Sequence, residues 1–244
     1  MHGGITFIKF LCLEHSEGMK FEMIKVNEVC LRYPDGTLAL QNVDMRINPG
    51  EMVYVTGPSG SGKTSLLKLF MGIEYPTTGT INVLDYPIVK GRSANIRQLR
   101  KMIGPVFQEF KLLKGRTALE NVMLGMRFLD LPTNKLKFNA NEALEKVGLE
   151  HKTLSLVENL SWGEGQRVAI ARAVARKPVL ILADEPTGNL DRENAINILD
   201  LLSSFKDDKT TVIITTHATH LIANKKNSMF IQIDKGSINW ERVI

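Results

Sequence analysis

Two short stretches hold the residue types that phosphate chemistry needs. From Gly57 to Thr64 the chain reads GPSGSGKT, a G-x-x-x-x-G-K-[ST] pattern. Glycines at Gly57, Gly60 and Gly62, spaced by Pro58, Ser59 and Ser61, let the backbone curl so that several N–H groups face phosphate oxygens. Lys63 neutralises β- and γ-phosphates, the Thr64 hydroxyl suits Mg²⁺, and Ser65 follows directly. From Val179 to Pro186 the chain reads VLILADEP. The apolar run places Asp184 at the carboxyl end of a strand, where α/β sheets hold ligands. Asp184 is suited to hold Mg²⁺ through water, and Glu185 to orient or deprotonate an attacking water. Binding alone needs no second carboxylate beside the first, so the adjacent pair points to hydrolysis of a nucleotide.

Those residues need a sheet and a helix to hold them. IKVNEVCLRY and NVDMRI alternate apolar and polar residues, the pattern of half-buried strands. After the turn at Asn48-Pro49-Gly50, MVYVTG is a strand that ends on the glycine-rich loop. The spacing predicts a helix from Gly62 to about Met71, with Leu66, Leu67, Phe70 and Met71 as its buried stripe and Gly72 as its stop. The helix adds its positive dipole end to the phosphate loop. GTINV returns to strand. Between Ala94 and Arg176 the periods are helical, broken by GPVFQE; Thr117 and Glu120 stand at capping-box spacing, and Gly148 closes EALEKVGL. Strand VLILAD, helix ENAINILDLLSSF and strand TTVIITTH follow, and MFIQIDKGSI reads as a final hairpin turning at Asp234-Lys235-Gly236. Strand–helix alternation around apolar strands implies an α/β core with a mainly parallel sheet.

The totals set limits on partners. A chain of 244 residues with 43% hydrophobic and 23% charged residues is a globular domain of ordinary composition. A net charge of +5 fits an anionic ligand or a membrane-adjacent surface and is too mild for a nucleic-acid binder. Cys12 and Cys30 lack metal-ligand spacing and suit a reducing cytosol. No apolar run reaches bilayer length, so any membrane crossing falls to a partner. Residues 1–22 read as an N-terminal extension, with Met19 and Met23 as plausible starts, ahead of a domain over 23–244.

Residues 158–168, ENLSWGEGQRV, carry a further signal. Ser161 and Glu164 have S-x-x-E capping-box spacing, which by itself explains a helix start there. Taken with the two phosphate motifs, the chain resembles the ABC ATPases, a P-loop NTPase family, over nearly all of Met23–Ile244. The resemblance implies an ABC-type ATPase domain with a mainly parallel sheet core, an antiparallel N-terminal β part and a helical subdomain at about 109–174. It implies that Tyr33 in LRYPDG stacks on adenine, that Gln108 in VFQE senses Mg²⁺ beside a membrane partner, and that His217 in ITTH contacts the γ-phosphate. Asp191 in TGNLD matches a loop that crosses to the other protomer, and is also a good helix N-cap. ENLSWGEGQRV matches the signature loop that commonly reads LSGGQ or LSGGE. Ser161 and the Gly163 backbone then grip ATP bound to the opposite protomer of a head-to-tail homodimer.

Two positions depart from that wording. Trp162 stands where the loop usually has glycine, and Gly165 where glutamine is frequent. A tryptophan is tolerated if Ser161 caps the helix and position 162 takes a negative φ. The sequence is then expected to grip ATP, with slower turnover. TALENVML, LADEPTGNLD and the LLK at Leu112–Lys114 are most similar to the cell-division ATPases of the FtsE family, near those of lipoprotein release and macrolide efflux. That family implies an integral membrane partner of FtsX type, a place at the cytoplasmic face of the bacterial membrane, and control of cell-wall hydrolases. A permease partner, or an ATP-binding scaffold with little hydrolysis, are the alternatives.

Overall fold

The computed structural model describes residues 22–188 and 190–244; of the extension expected over residues 1–22 all but Glu22 lies outside them, as does Asn189. The chain begins with β1 (Ile24–Arg32) and β2 (Leu38–Ile47), then β3 (Met52–Thr56) and α1 (Lys63–Phe70). β4 (Thr78–Val83), β5 (Tyr86–Pro87), α2 (Ser93–Met102) and β6 (Ile103–Val106) follow. A helical stretch then carries α3 (Ala118–Leu124), α4 (Thr133–Lys146) and α5 (Trp162–Val174). β7 (Leu180–Asp184), α6 (Arg192–Ser204), β8 (Thr211–Thr216), β9 (Ser228–Asp234) and β10 (Ser237–Val243) complete the fold.

Two sheets result. β2-β1-β4-β5 is antiparallel throughout, built from the alternating N-terminal sequences. The second sheet runs β10-β9-β3-β8-β7-β6; all its pairings are parallel except that of β10 with β9. Because strand side chains alternate between faces, the parallel strands divide their apolar residues between two cores. Val53, Val55, Leu180, Leu182 and Ile213 join α1, α2 and the antiparallel sheet on one side. Met52, Tyr54, Ile181, Ala183, Val212 and Ile214 join α3, α4, α5 and α6 on the other. Burial on both faces is why these strands read as continuous apolar runs in the sequence.

The segment IGPV illustrates what periodicity hides. It breaks the helical pattern and forms β6, although Pro105 cannot donate to a ladder. β6 is the last strand of its sheet and pairs only with β7, which is where a strand tolerates proline. Gly104 in the same strand admits α5 closely: a side chain there would put its Cβ 2.8 Å from the Ala173 carbonyl oxygen.

Parallel pairing has one consequence for chemistry. The carboxyl ends of β3, β6, β7 and β8 all emerge on the same edge of the sheet. The segments that follow them are the glycine loop, the Gln108 loop, Asp184-Glu185 and His217.

Candidate active site

The loop after β3 is shaped by two glycines. Gly57 has φ 145° and Gly62 φ 114°, a region side chains avoid. A Cβ on Gly57 would lie 2.2 Å from the Ile233 carbonyl oxygen, and one on Gly62 would lie 2.5 Å from that of Ala39. The loop therefore rests on β9 and β2 with no room for side chains at its base, while at Gly60 its crest is open. Gly62 passes the chain into α1. Lys63, the first helical residue, folds back so that its Nζ donates to the carbonyls of Gly57 (2.8 Å) and Pro58 (3.0 Å). Its side chain is only 6% exposed and pairs with Glu185 Oε1 at 3.2 Å. Ser61 Oγ, buried in the same loop, has no hydrogen-bond partner among the described residues.

The two carboxylates leave β7 in different directions. Asp184 Oδ1 accepts from Thr64 Oγ1 (3.2 Å) and from Thr215 Oγ1 (2.7 Å). Glu185 has φ 45°, a left-handed conformation that costs a non-glycine residue about 1–3 kcal/mol and is characteristic of functional sites. Its backbone N–H donates to Thr215 Oγ1 at 2.8 Å. Its carboxylate is held on both sides, by Lys63 at Oε1 and by His217 at Oε2, with Nδ1 of the imidazole at 2.8 Å. The His217 side chain is two-thirds exposed, so the imidazole bridges the buried carboxylate to the open side of the site. Lys63, Thr64, Asp184, Glu185 and His217 thus form one connected cluster.

Thr215 escaped the sequence reading. One hydroxyl accepts from the Glu185 amide and donates to Asp184, fixing the two carboxylates relative to each other. The signal was available: ITTH ends a wholly buried strand with two threonines, and buried hydroxyls require partners.

Other expected residues lie around this cluster. Tyr33 is half-buried against the core and its hydroxyl meets Ser65 Oγ at 3.0 Å, tying the end of β1 to the first turn of α1. Gln108 is exposed in the loop after β6; its Nε2 stands 3.9 Å from where a Cβ on Gly188 would be, just beyond Glu185. Ser161 caps α5, its Oγ accepting from the Glu164 N–H while Glu164 Oε2 accepts from the Ser161 N–H at 2.8 Å. These backbone and side-chain bonds hold the Glu164 carboxyl below its usual range. Asp191 caps α6 by accepting from Asn194, which lowers its carboxyl pKa likewise. Gly163 has open space around it. Among the described residues, no hydrogen bond or ion pair joins Ser161, Gly163 or Asp191 to the Lys63–Glu185 cluster.

The oxygen donors fit a small hard cation. No group of three His, Cys, Asp or Glu side chains among the described residues could hold a metal alone. A threonine hydroxyl beside one carboxylate, next to a phosphate loop, is the partial shell that Mg²⁺ completes with water and substrate phosphates.

Residues 40–188 match the family model described as ABC transporter. The chain belongs to the ABC transporter family. The cell-division ATP-binding protein FtsE of Mycobacterium tuberculosis is 40% identical over 82% of this chain and 87% of its own. FtsE of Escherichia coli K12 is 40% identical over 87% and 96%, and that of Bacillus subtilis 38% over 88% and 94%. Among solved structures, a dimeric ATP-binding cassette in a post-hydrolysis state bound to ADP and Pi superposes with a TM-score of 0.81. It is 33% identical, over 91% of this chain and 99% of that one. The two sheets and the helical stretch are accordingly those of a P-loop ABC ATPase, and the chain is an ATP-binding, ATP-hydrolysing subunit of that family. In its FtsE-like relatives the cassette is a cell-division component, the function expected from the sequence.

Proposed function

We propose that the chain is one half of an ATP-closed homodimer that drives an integral membrane partner of FtsX type during cell division, at the cytoplasmic face of the membrane. One observation carries the dimer: the phosphate loop, Asp184 and Glu185 meet at one sheet edge, while Ser161, Gly163 and Asp191 remain outside that cluster. A second copy, placed head to tail, supplies the missing half of each site.

In this reading Tyr33 stacks on adenine, and the loop Gly57–Thr64 holds the phosphates through backbone N–H groups and the α1 dipole. Thr64, Asp184 and Gln108 would hold Mg²⁺, which would neutralise phosphate charge there. Phosphate oxygens draw Lys63 towards them, which releases Glu185 Oε1 to a water. Glu185 takes a proton from that water as its oxygen bonds to the γ-phosphorus and the β–γ bridge breaks, leaving ADP and phosphate. His217, linked to Glu185 Oε2, bridges the carboxylate to the γ-phosphate side. Ser161 and Gly163 of the second copy close over that phosphate, so the two copies part once it is gone.

Affinity purification of the chain from its native membrane tests the partner. A four-span protein with one sizeable extracytoplasmic loop, and filamentous cells on depletion, are the expected results. A co-purifying permease with normal division on depletion would place the chain in a transporter.

A further inference from the structure

Phe110 lies two residues beyond Gln108 and packs against the start of α5. Its ring centroid is 4.5 Å from that of Trp162, at an interplanar angle of 53°. The ring also borders Gly165, where a Cβ would sit 3.4 and 3.5 Å from Phe110 Cδ2 and Cε2. The backbone of the same segment is bound to the same helix, with Arg172 donating to the carbonyls of Phe110 (2.5 Å) and Lys111 (2.8 Å). Burial of the Arg172 guanidinium pushes its pKa below the ordinary value.

Trp162 and Gly165 each look costly alone. Trp162 leaves a large apolar ring 48% exposed. Gly165 is inside a helix, where glycine is about 1 kcal/mol less favourable than alanine, and it needs no positive φ there. Together they make sense. Bulk is present at 162 and absent at 165, and the phenyl ring of Phe110 lies against both positions.

We infer that Trp162 is a positioning residue: with Gly165 it forms a seat for Phe110 that latches the Gln108 loop to the helix bearing Ser161. Gln108 and the signature serine are then carried by one connected unit, so a movement of α5 repositions Gln108 relative to Glu185. The inference rests on the proposed role of Gln108 for its effect on turnover, but the latch itself is a matter of contact and can be read separately.

The contact is read by fluorescence. In a Trp240→Phe background Trp162 is the sole tryptophan, and Phe110→Ala is expected to shift its emission to the red as the ring loses its neighbour. Hydrogen exchange of residues 107–112 should quicken in Trp162→Gly and in Gly165→Gln. Steady-state ATPase reads the function. Trp162→Gly and Phe110→Ala should each lower kcat by about threefold to tenfold, the scale of one aromatic contact, with a smaller change in KM. The double variant should be no slower than the slower single variant, and Trp162→Phe should restore turnover. Thermal melts identify any variant that fails to fold, in which case Trp162→Phe and Gly165→Ala still report on the seat. A turnover that rises in Trp162→Gly, the outcome implied by the slower turnover expected of tryptophan from the sequence, would overturn the inference, as would singles whose effects multiply. If exchange and emission change as expected but Gln108→Ala turns over normally, the latch stands and the role given to Gln108 fails.

Discussion

Lys63 is the most contested side chain of the site. It is shared among two loop carbonyls and Glu185, with both charged side chains below 10% exposure. Removing one partner of a buried ion pair strands the other, at a cost of about 3–5 kcal/mol. ATP and Glu185 compete for the same ammonium group, so the two substitutions should separate. Lys63→Ala is expected to lose ATP binding and to melt at lower temperature. Glu185→Gln frees Lys63 for phosphate while removing the base: ATP binding should tighten, and hydrolysis should fall by about a hundredfold or more. Equilibrium binding of a fluorescent ATP analogue beside steady-state turnover checks both. A Glu185→Gln protein that binds ATP more weakly than the native chain would contradict the competition.

At the scale of the element, the helix starts are where sequence and structure agree most closely. Thr117–Glu120 and Ser161–Glu164 both form complete capping boxes, as their S/T-x-x-E spacing implies, and Asp191 caps α6. Caps are legible because they are local: the bonds span three residues and need no tertiary partner. β6 was not legible, since a Gly-Pro strand is allowed only by its edge position, which is a property of the assembled sheet. Thr215 and the Phe110 seat were missed for the same reason; their partners lie about thirty to sixty residues away. The caps also make a pH prediction. Glu120, Glu164 and Asp191 all have carboxyl pKa values lowered by hydrogen bonds, first from the backbone N–H groups of Thr117, Ser161 and Asn194. A folded value below the unfolded one stabilises the protein above the unfolded pKa, and that stability is lost as pH falls through the folded value. Melting temperature should therefore drop between about pH 5 and about pH 3. The native chain should lose more across that window than Glu120→Gln/Glu164→Gln, in which only the Asp191 cap still titrates. Equal losses in the two proteins would remove the two capping boxes from the acid response.

For the whole molecule, the decisive property is that the proposed site is divided. One chain contributes a charged cluster at the edge of its parallel sheet, and the Ser161 cap is exposed at the start of α5 with no bond to that cluster. A bound γ-phosphate would join two such surfaces by presenting oxygens to a second helix N-terminus, whose dipole favours negative charge. Dimerisation should then depend on ATP and on both halves. Glu185→Gln with ATP and Mg²⁺ is expected to sediment at the mass of two chains, and with ADP at the mass of one. Adding Lys63→Ala should abolish the dimer by removing the nucleotide. Adding Ser161→Arg should abolish it while each chain still binds ATP, because a long side chain at the cap blocks the opposing phosphate but lies outside the loop Gly57–Thr64. That last pairing, ATP bound but no dimer, separates a composite site from a site complete within one chain. A dimer of equal strength with ADP, or one that survives Ser161→Arg, would mean that the second copy does not complete the site.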